Sequence, residues 1–384
     1  MAQFRRIIAF LVVVMLFAPT ATVGQPVAAV SPAESVRPAL VADAGLTAAG
    51  AIAVDLTTGI ELYAHNADVS LPPASTAKIV TAAVVSAILP TDTQVSIQSS
   101  DLLDPTVYST AGLMEGDIVS VHDLLFGLLL PSGGDAALAL ARAGGLKLDP
   151  ASADPVGRFV SEMNAFAQSH GMTHSHFSNP VGMDDPVNNY ASARDLVRAT
   201  EAVLGDRLLS RIVASESATL VAGGPNARSW EVHSSNQLIG RDDVFGVKTG
   251  TEEVAGQCLV AGFWRGDNRI ITVVLGSSDR YADTLQLMST IDANYHWAAI
   301  GQGTSSAGAS AALASEGLRF MIRRTVLMTA SQFDGLTWEL ERDTDPATPW
   351  LGIVEFTTNG RVVARLPVYS VGGAATVSQI GRAA

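Results

Sequence analysis

The chain has 384 residues, 48% hydrophobic and 16% charged, with a formal net charge of −13. That is ample material for one large domain or two, and it excludes a disordered chain. The negative balance argues against a nucleic-acid groove, which needs clustered positive charge. The single cysteine, Cys258, rules out an internal disulfide, so the fold must stand on its core.

The N-terminus carries Arg5-Arg6 and then the apolar run Ile7 to Ala18, which is short for a bilayer span. With small residues following (Ala21, Gly24, Ala28, Ala29), it reads as a signal peptide cleaved after Gly24 or Ala29, within a leader covering 1–29. Export is therefore expected, with an uncleaved N-terminal anchor as the alternative. Residues 25–45, rich in Ala, Pro and Val, lead into the domain.

Gly50 to Asp55, a Thr57-Thr58-Gly59 turn and Ile60 to Ala64 predict a β-hairpin. Pro72 and Pro73 then introduce Ala74-Ser75-Thr76-Ala77-Lys78, and the apolar run from Ile79 to Val85 predicts a helix buried on all sides. Ser75 and Lys78 stand three residues apart, so their side chains can meet on one helical face. A buried lysine costs several kcal/mol unless it is paired or neutral.

Residues 94–120 are short and mixed. A second apolar helix, His122 to Leu130, stops at Pro131-Ser132-Gly133-Gly134-Asp135 and restarts as Ala136 to Arg142. The stretch from Arg158 to His170 has helical periodicity, with Phe159, Met163 and Phe166 on one stripe. Asn179-Pro180-Val181-Gly182 is a loop, and Ser192 is an N-cap for a helix reaching Leu204. Val244 to Gly250 and Gln257 to Trp264 are strands, and Arg269 to Leu275 returns as a third after the Arg265–Asn268 turn. A helix from Tyr281 to Trp297 closes the unit. Hairpins flanking a helical middle, without βαβ alternation, predict an α+β fold: an antiparallel sheet with helices on its faces. This domain is expected over 37–300.

Gly301 to Ser315 is almost entirely Gly, Ser, Thr and Ala, a flexible-linker composition. Short runs at Phe320–Ile322, Leu336–Leu340, Gly352–Phe356 and Val362–Leu366, with an Asn359-Gly360 turn, predict a small β module over 316–384. Its last residues, Ser378 to Ala384, are too weakly apolar for an amphipathic anchor.

Three motifs occur in order: Ser75-x-x-Lys78, Ser132-Gly133-Gly134 and Lys248-Thr249-Gly250. This order resembles the penicillin-recognising serine acyltransferases, and within them the D-alanyl-D-alanine carboxypeptidases, the low-molecular-mass penicillin-binding proteins of the β-lactamase-like fold. The resemblance covers roughly residues 45–300. It includes Phe159-Val-x-x-Met-Asn164, Gly171-Met-x-x-x-x-Phe177-x-Asn-Pro180, and Ala255-Gly-x-Cys-Leu259 behind the third motif.

The resemblance implies the following roles. Ser75 is the nucleophile acylated by a peptidoglycan stem peptide ending in D-Ala-D-Ala, or by a β-lactam inhibitor. Lys78 is the base that takes its proton, neutral through burial beside a second cation, Lys248. Ser132 relays the proton to the leaving D-alanine. Lys248, Thr249, Gly250 and Thr251 hold the terminal carboxylate, and the N–H groups of Ser75 and Thr251 form an oxyanion hole. No metal or cofactor is implied, and the setting is the cell envelope, in upkeep of the wall and of cell shape.

One position departs from the family. The second motif normally ends in asparagine, whose amide helps hold the lysine and the substrate carbonyl, and here the residue is Gly134. Asp135 is adjacent but faces elsewhere on a helix and is no substitute. The departure keeps open a non-catalytic cell-wall binding protein, beside a D,D-endopeptidase or a β-lactamase on the same fold. Against the last, Glu162, Glu201, Glu216 and Glu231 are followed four residues on by Phe166, Gly205, Leu220 and Ser235, so a Glu-x-x-x-Asn deacylating loop is missing.

Other chemistry-bearing residues take structural readings. His170, His174 and His176 are expected to make hydrogen bonds rather than a metal cluster. Cys258 is expected as a small buried residue, and Asp184-Asp185 as a solvated turn.

Overall fold

The computed structural model describes residues 44–371 except 186, 242 and 345–349. The leader expected over 1–29 and the closing residues Ser378–Ala384 lie outside the described residues.

The chain opens on the hairpin β1 (Gly50–Asp55) and β2 (Ile60–His65). Asp55 shapes its turn by accepting the N–H groups of Thr57 (2.9 Å) and Thr58 (3.2 Å). A 3-10 turn, Ala74–Ala77, leads into α1 (Lys78–Ile88), which is buried from Lys78 to Val85. After β3 (Gln94–Ser96) and β4 (Ile118–Ser120) come α2 (Val121–Leu129) and α3 (Gly134–Leu148), broken at 130–133. Then follow α4 (Pro155–Ser169), capped by Asp154, and α5 (Ala193–Gly205), where the Ser192 hydroxyl accepts the Asp195 N–H at 3.1 Å. The segment closes on α6 (Arg207–Val213).

A hairpin that the sequence reading did not anticipate follows, β5 (Ser217–Gly223) and β6 (Arg228–His233). It joins β3 and β4 in a four-stranded sheet of order β3-β4-β5-β6. Next come β7 (Val244–Glu252), β8 (Gly256–Arg265) and β9 (Asn268–Ser277), which complete an antiparallel sheet of order β2-β1-β9-β8-β7. This central sheet is covered on both faces, so its inner strands β1, β8 and β9 are apolar at most positions. Ile52, Val260, Ile271 and Val273 face the helical core around α1 and α5. Ala51, Leu259, Ala261 and Ile270 face α7 (Arg280–Asn294), which contributes Leu287, Met288 and Ile291.

The expected helix to Trp297 stops at Asn294. Tyr295–Gly301 instead forms β10, and its aromatic residues explain the change. Tyr295 is buried, and Trp297 donates its indole N–H to Asp55 at 3.0 Å. The supposed linker at 301–315 also differs, because Ala309–Ser315 is a short helix, α8, with Ala309 and Leu313 buried. Residues four apart share a helical face, so even a chain of small residues can bury one.

Beyond it lie β11 (Leu318–Phe320), β12 (Arg323–Thr329), α9 (Ala330–Asp334), β13 (Thr337–Arg342), β14 (Gly352–Thr358) and β15 (Arg361–Ser370). A four-stranded sheet, β11-β15-β14-β13, encloses a separate core with Val354, Phe356 and Leu366. The expected boundary at 300 falls across a paired strand, since β10 pairs antiparallel with β12 from Tyr295↔Thr329 to Gly301↔Arg323.

Candidate active site

Ser75 lies in the 3-10 turn and Lys78 opens α1. Three residues per turn superpose i and i+3, and Lys78 Nζ stands 2.8 Å from Ser75 Oγ. The same Nζ donates to the Val181 carbonyl at 2.7 Å. Lys78 is 1% exposed, and burial pulls its pKa down from 10.5 to about 7, against Glu252 and Asp135, which pull it up. Near pH 7 the amine is therefore part neutral. A neutral Nζ can donate one hydrogen to Val181 and turn its lone pair to the Ser75 hydroxyl, which is the geometry a general base needs.

The loop carrying Val181 is built for this contact. Asn179 Oδ1 accepts the N–H groups of Gly182 (2.8 Å), Met183 (3.0 Å) and Val181 (3.2 Å), and Thr81 of α1 donates to the Pro180 carbonyl at 2.7 Å. Gly182 has φ +87°, and a Cβ there would lie 2.0 Å from the Ala74 carbonyl oxygen, so only glycine lets the loop approach the Ser75 turn. Asn164 of α4 exchanges two bonds with the Phe177 backbone (2.9 and 2.8 Å), tying the same loop to the helix behind it.

The opposite wall is β7. Lys248 and Thr249 are 1% and 6% exposed, and Lys248 Nζ donates to the Thr249 carbonyl at 3.0 Å. Gly250 packs directly on the Ser75 turn, where an added Cβ would lie 3.0 Å from the Ser75 nitrogen. Burial first, then the positive charges of Lys78 and Arg280, hold the Lys248 pKa well below its usual value. Of the two causes expected to lower the Lys78 pKa, burial leads and Lys248 is not among the groups that shift it; burial also leads for Lys248.

Ser132 occupies the break between α2 and α3 with φ +67°, a left-handed conformation uncommon outside glycine. It is 4% exposed, and its hydroxyl has no hydrogen-bond partner among the described residues. Gly134 starts α3, and a Cβ there would meet Leu103 Cδ1 at 2.5 Å and Val181 Cγ1 at 3.2 Å. An apolar side chain from the 99–111 segment thus takes up the room beside the missing asparagine. Asp135 does turn away, accepting the N–H groups of Ala111 (2.7 Å) and Leu113 (3.1 Å).

Arg280, at the start of α7, is a site residue that sequence reasoning missed. It donates to the Gly250 carbonyl at 2.7 Å and to the Thr251 hydroxyl, bracing the strand that carries Lys248. Its partners lie about thirty residues away, too far for any local pattern to signal. Asp184 also departs from its expected place in a solvated turn. One oxygen accepts the Val254 N–H at 2.6 Å, the other is buried without a partner among the described residues, and its charge, after burial, helps raise the pKa of Glu252 beside Lys78.

The histidines take separate protein partners: His170 stacks on Phe166, His176 Nδ1 lies 2.6 Å from the Asn188 carbonyl, and His174 lies 4.0 Å from Asp68. Cys258 is fully buried, and burial pushes its thiol up to about 11, which leaves it unreactive.

A sequence profile described as D-alanyl-D-alanine carboxypeptidase matches residues 37–279, which contain all three motifs. The chain belongs to the D-alanyl-D-alanine carboxypeptidase family. One member, from Streptomyces sp. strain K15, is 33% identical over 255 residues, covering 64% of this chain and 87% of the relative. The crystal structure of the Streptomyces K15 DD-transpeptidase superposes with a TM-score of 0.62 at 33% identity, over 66% of this chain and all of that one. A D-alanyl-D-alanine carboxypeptidase from Francisella tularensis shares the fold at 21% identity, with a TM-score of 0.61 over 88% of this chain. The matched stretch spans only 56–63% of four longer curated carboxypeptidases. As a family member, the chain is a serine-type carboxypeptidase with the α+β fold expected from its sequence. Ser75 comes from the 3-10 turn, Lys78 from α1, and Lys248 to Gly250 from β7.

Proposed function

We propose that this carboxypeptidase is exported and removes the terminal D-alanine from peptidoglycan stem peptides through a Ser75 acyl-enzyme, and that penicillins acylate the same serine. The observation that carries the reading is the 2.8 Å contact between Ser75 Oγ and Lys78 Nζ, with the lysine pKa brought down to about 7.

In this reading the terminal carboxylate enters beside Lys248, Thr249 and Thr251. A carboxylate next to Lys248 favours its charged form. Lys78 accepts the Ser75 proton as Oγ attacks the carbonyl between the two D-alanines. The N–H groups of Ser75 and Thr251 would carry the oxyanion, a contribution of about 3–4 kcal/mol per donor in other enzymes. Lys78 then gives that proton to the Ser132 hydroxyl as Ser132 passes its own to the departing D-alanine amine, which leaves Ser132 restored and Lys78 neutral again. Water then cleaves the ester, giving its proton to Lys78 as the Ser75 oxygen leaves and is reprotonated.

Acylation by a fluorescent penicillin tests the reading: the wild-type protein becomes labelled and Ser75→Ala does not. Unlabelled wild type would sink it, and rapid release of the label would favour a β-lactamase. Export rests on the sequence of residues 5–29. N-terminal sequencing of protein recovered outside the cytoplasm should begin after Gly24 or Ala29; an intact Met1 start there would mean an uncleaved anchor.

A further inference from the structure

Ser235, in the connection between β6 and β7, touches three walls of the site. Its N–H donates to the Leu130 carbonyl at 2.9 Å, two residues before Ser132. Its carbonyl accepts the Tyr281 hydroxyl at 3.0 Å, next to Arg280. Its own hydroxyl lies 2.6 Å from Thr249 Oγ1. The neighbouring residue anchors the connection: Asn236 is 4% exposed and donates to the Gly246 carbonyl at 3.1 Å.

Each of these two hydroxyls has one hydrogen, and the short contact consumes one of the two. If Thr249 donates to Ser235, Thr249 presents only lone pairs to the site and repels an anion. If Ser235 donates to Thr249, the Thr249 hydrogen is free for a carboxylate oxygen, and the chain of donors strengthens that bond. Only the second arrangement satisfies both hydroxyls once an anion is bound.

We propose that Ser235 is a positioning residue that sets Thr249 as a donor to the substrate's terminal carboxylate. This rests on the carboxypeptidase reading, in which Thr249 meets that carboxylate.

The test compares a peptide ending in D-Ala-D-Ala with the same peptide ending in a primary amide. Binding is measured by calorimetry on full-length protein carrying Ser75→Ala, so the result does not depend on turnover. Adding Ser235→Ala should weaken binding of the acid roughly three- to tenfold, as for a lost charge-assisted bond partly replaced by water. Binding of the amide should stay unchanged, and Ser235→Thr should restore acid binding. Ser235→Cys keeps the shape with a weak donor, should fall in between, and serves if the alanine variant folds poorly. Equal losses for acid and amide, or no loss for the acid, would overturn the proposal. The carboxypeptidase reading is judged separately, by penicillin labelling of protein with Ser75 intact.

Discussion

Lys78 Nζ stands 2.7 Å from the Val181 carbonyl oxygen, so the loop after Pro180 sets the direction from which the amine meets Ser75. Asn179 holds that loop through three backbone N–H groups. Asn179→Ala should therefore cost about 1–3 kcal/mol of stability, read by denaturant unfolding. Penicillin acylation should slow by roughly tenfold as the base loses its alignment. A stability loss with an unchanged acylation rate would show that the loop only supports the fold.

The pH dependence follows from the state of Lys78. With its pKa lowered to about 7, the amine is neutral above that pH and charged below it. Acylation should rise about tenfold per pH unit below 7 and level off above it. Stability moves the same way. Between about 7 and the ordinary 10.5 the unfolded chain holds a proton that the folded chain has lost, so stability increases with pH across that window. Lys78→Met removes this increment, and urea titrations of both proteins at pH 7 and pH 9 would read the difference. A wild type that gains nothing relative to the variant would mean that the amine remains charged.

Gly134 and Leu103 form a matched pair, because a Cβ at Gly134 would fall 2.5 Å from Leu103 Cδ1. Gly134→Asn alone should acylate no faster than wild type, since the amide must compete with Leu103 for room. Leu103→Ala with Gly134→Asn should be faster than Gly134→Asn alone, by several-fold, with a coupling of roughly 0.5–3 kcal/mol as for other contacting pairs. Additive effects of the two changes would show that Leu103 does not occupy that room.

Arg280 braces β7 through Gly250 and Thr251 and adds positive potential beside Lys248. Arg280→Gln should weaken capture of carboxylate-ended peptides by about 10- to 100-fold, the range for losing a charged hydrogen-bond donor. Steady-state kinetics on acid and amide peptides would show it, with the larger effect on the acid. Equal effects on both would place Arg280 in the scaffold alone.

How much of this was legible in the sequence depended on the reach of each signal. Ser75 and Lys78 are three residues apart, and local helical geometry alone brings them together. The hairpin at 50–64, the break at Ser132 and the Ser192 cap are likewise short-range features. Arg280, Asp184 and Ser235 escaped because the partners that reveal them lie at least 14 residues away. The small residues of Ala309–Ser315 match a linker composition, yet Ala309 and Leu313 have a core to face once β11 and β15 are in place. The local pattern extends the preceding helix to Trp297 because the strand that pairs with Tyr295–Gly301, Arg323–Thr329, lies beyond that supposed linker.

The most direct measurement is release of free D-alanine from a stem-peptide mimic ending in D-Ala-D-Ala. The wild-type protein should release one D-alanine per peptide, and Ser75→Ala none. Binding of the peptide by the wild type without release of D-alanine would contradict the account and leave a cell-wall binding protein in its place.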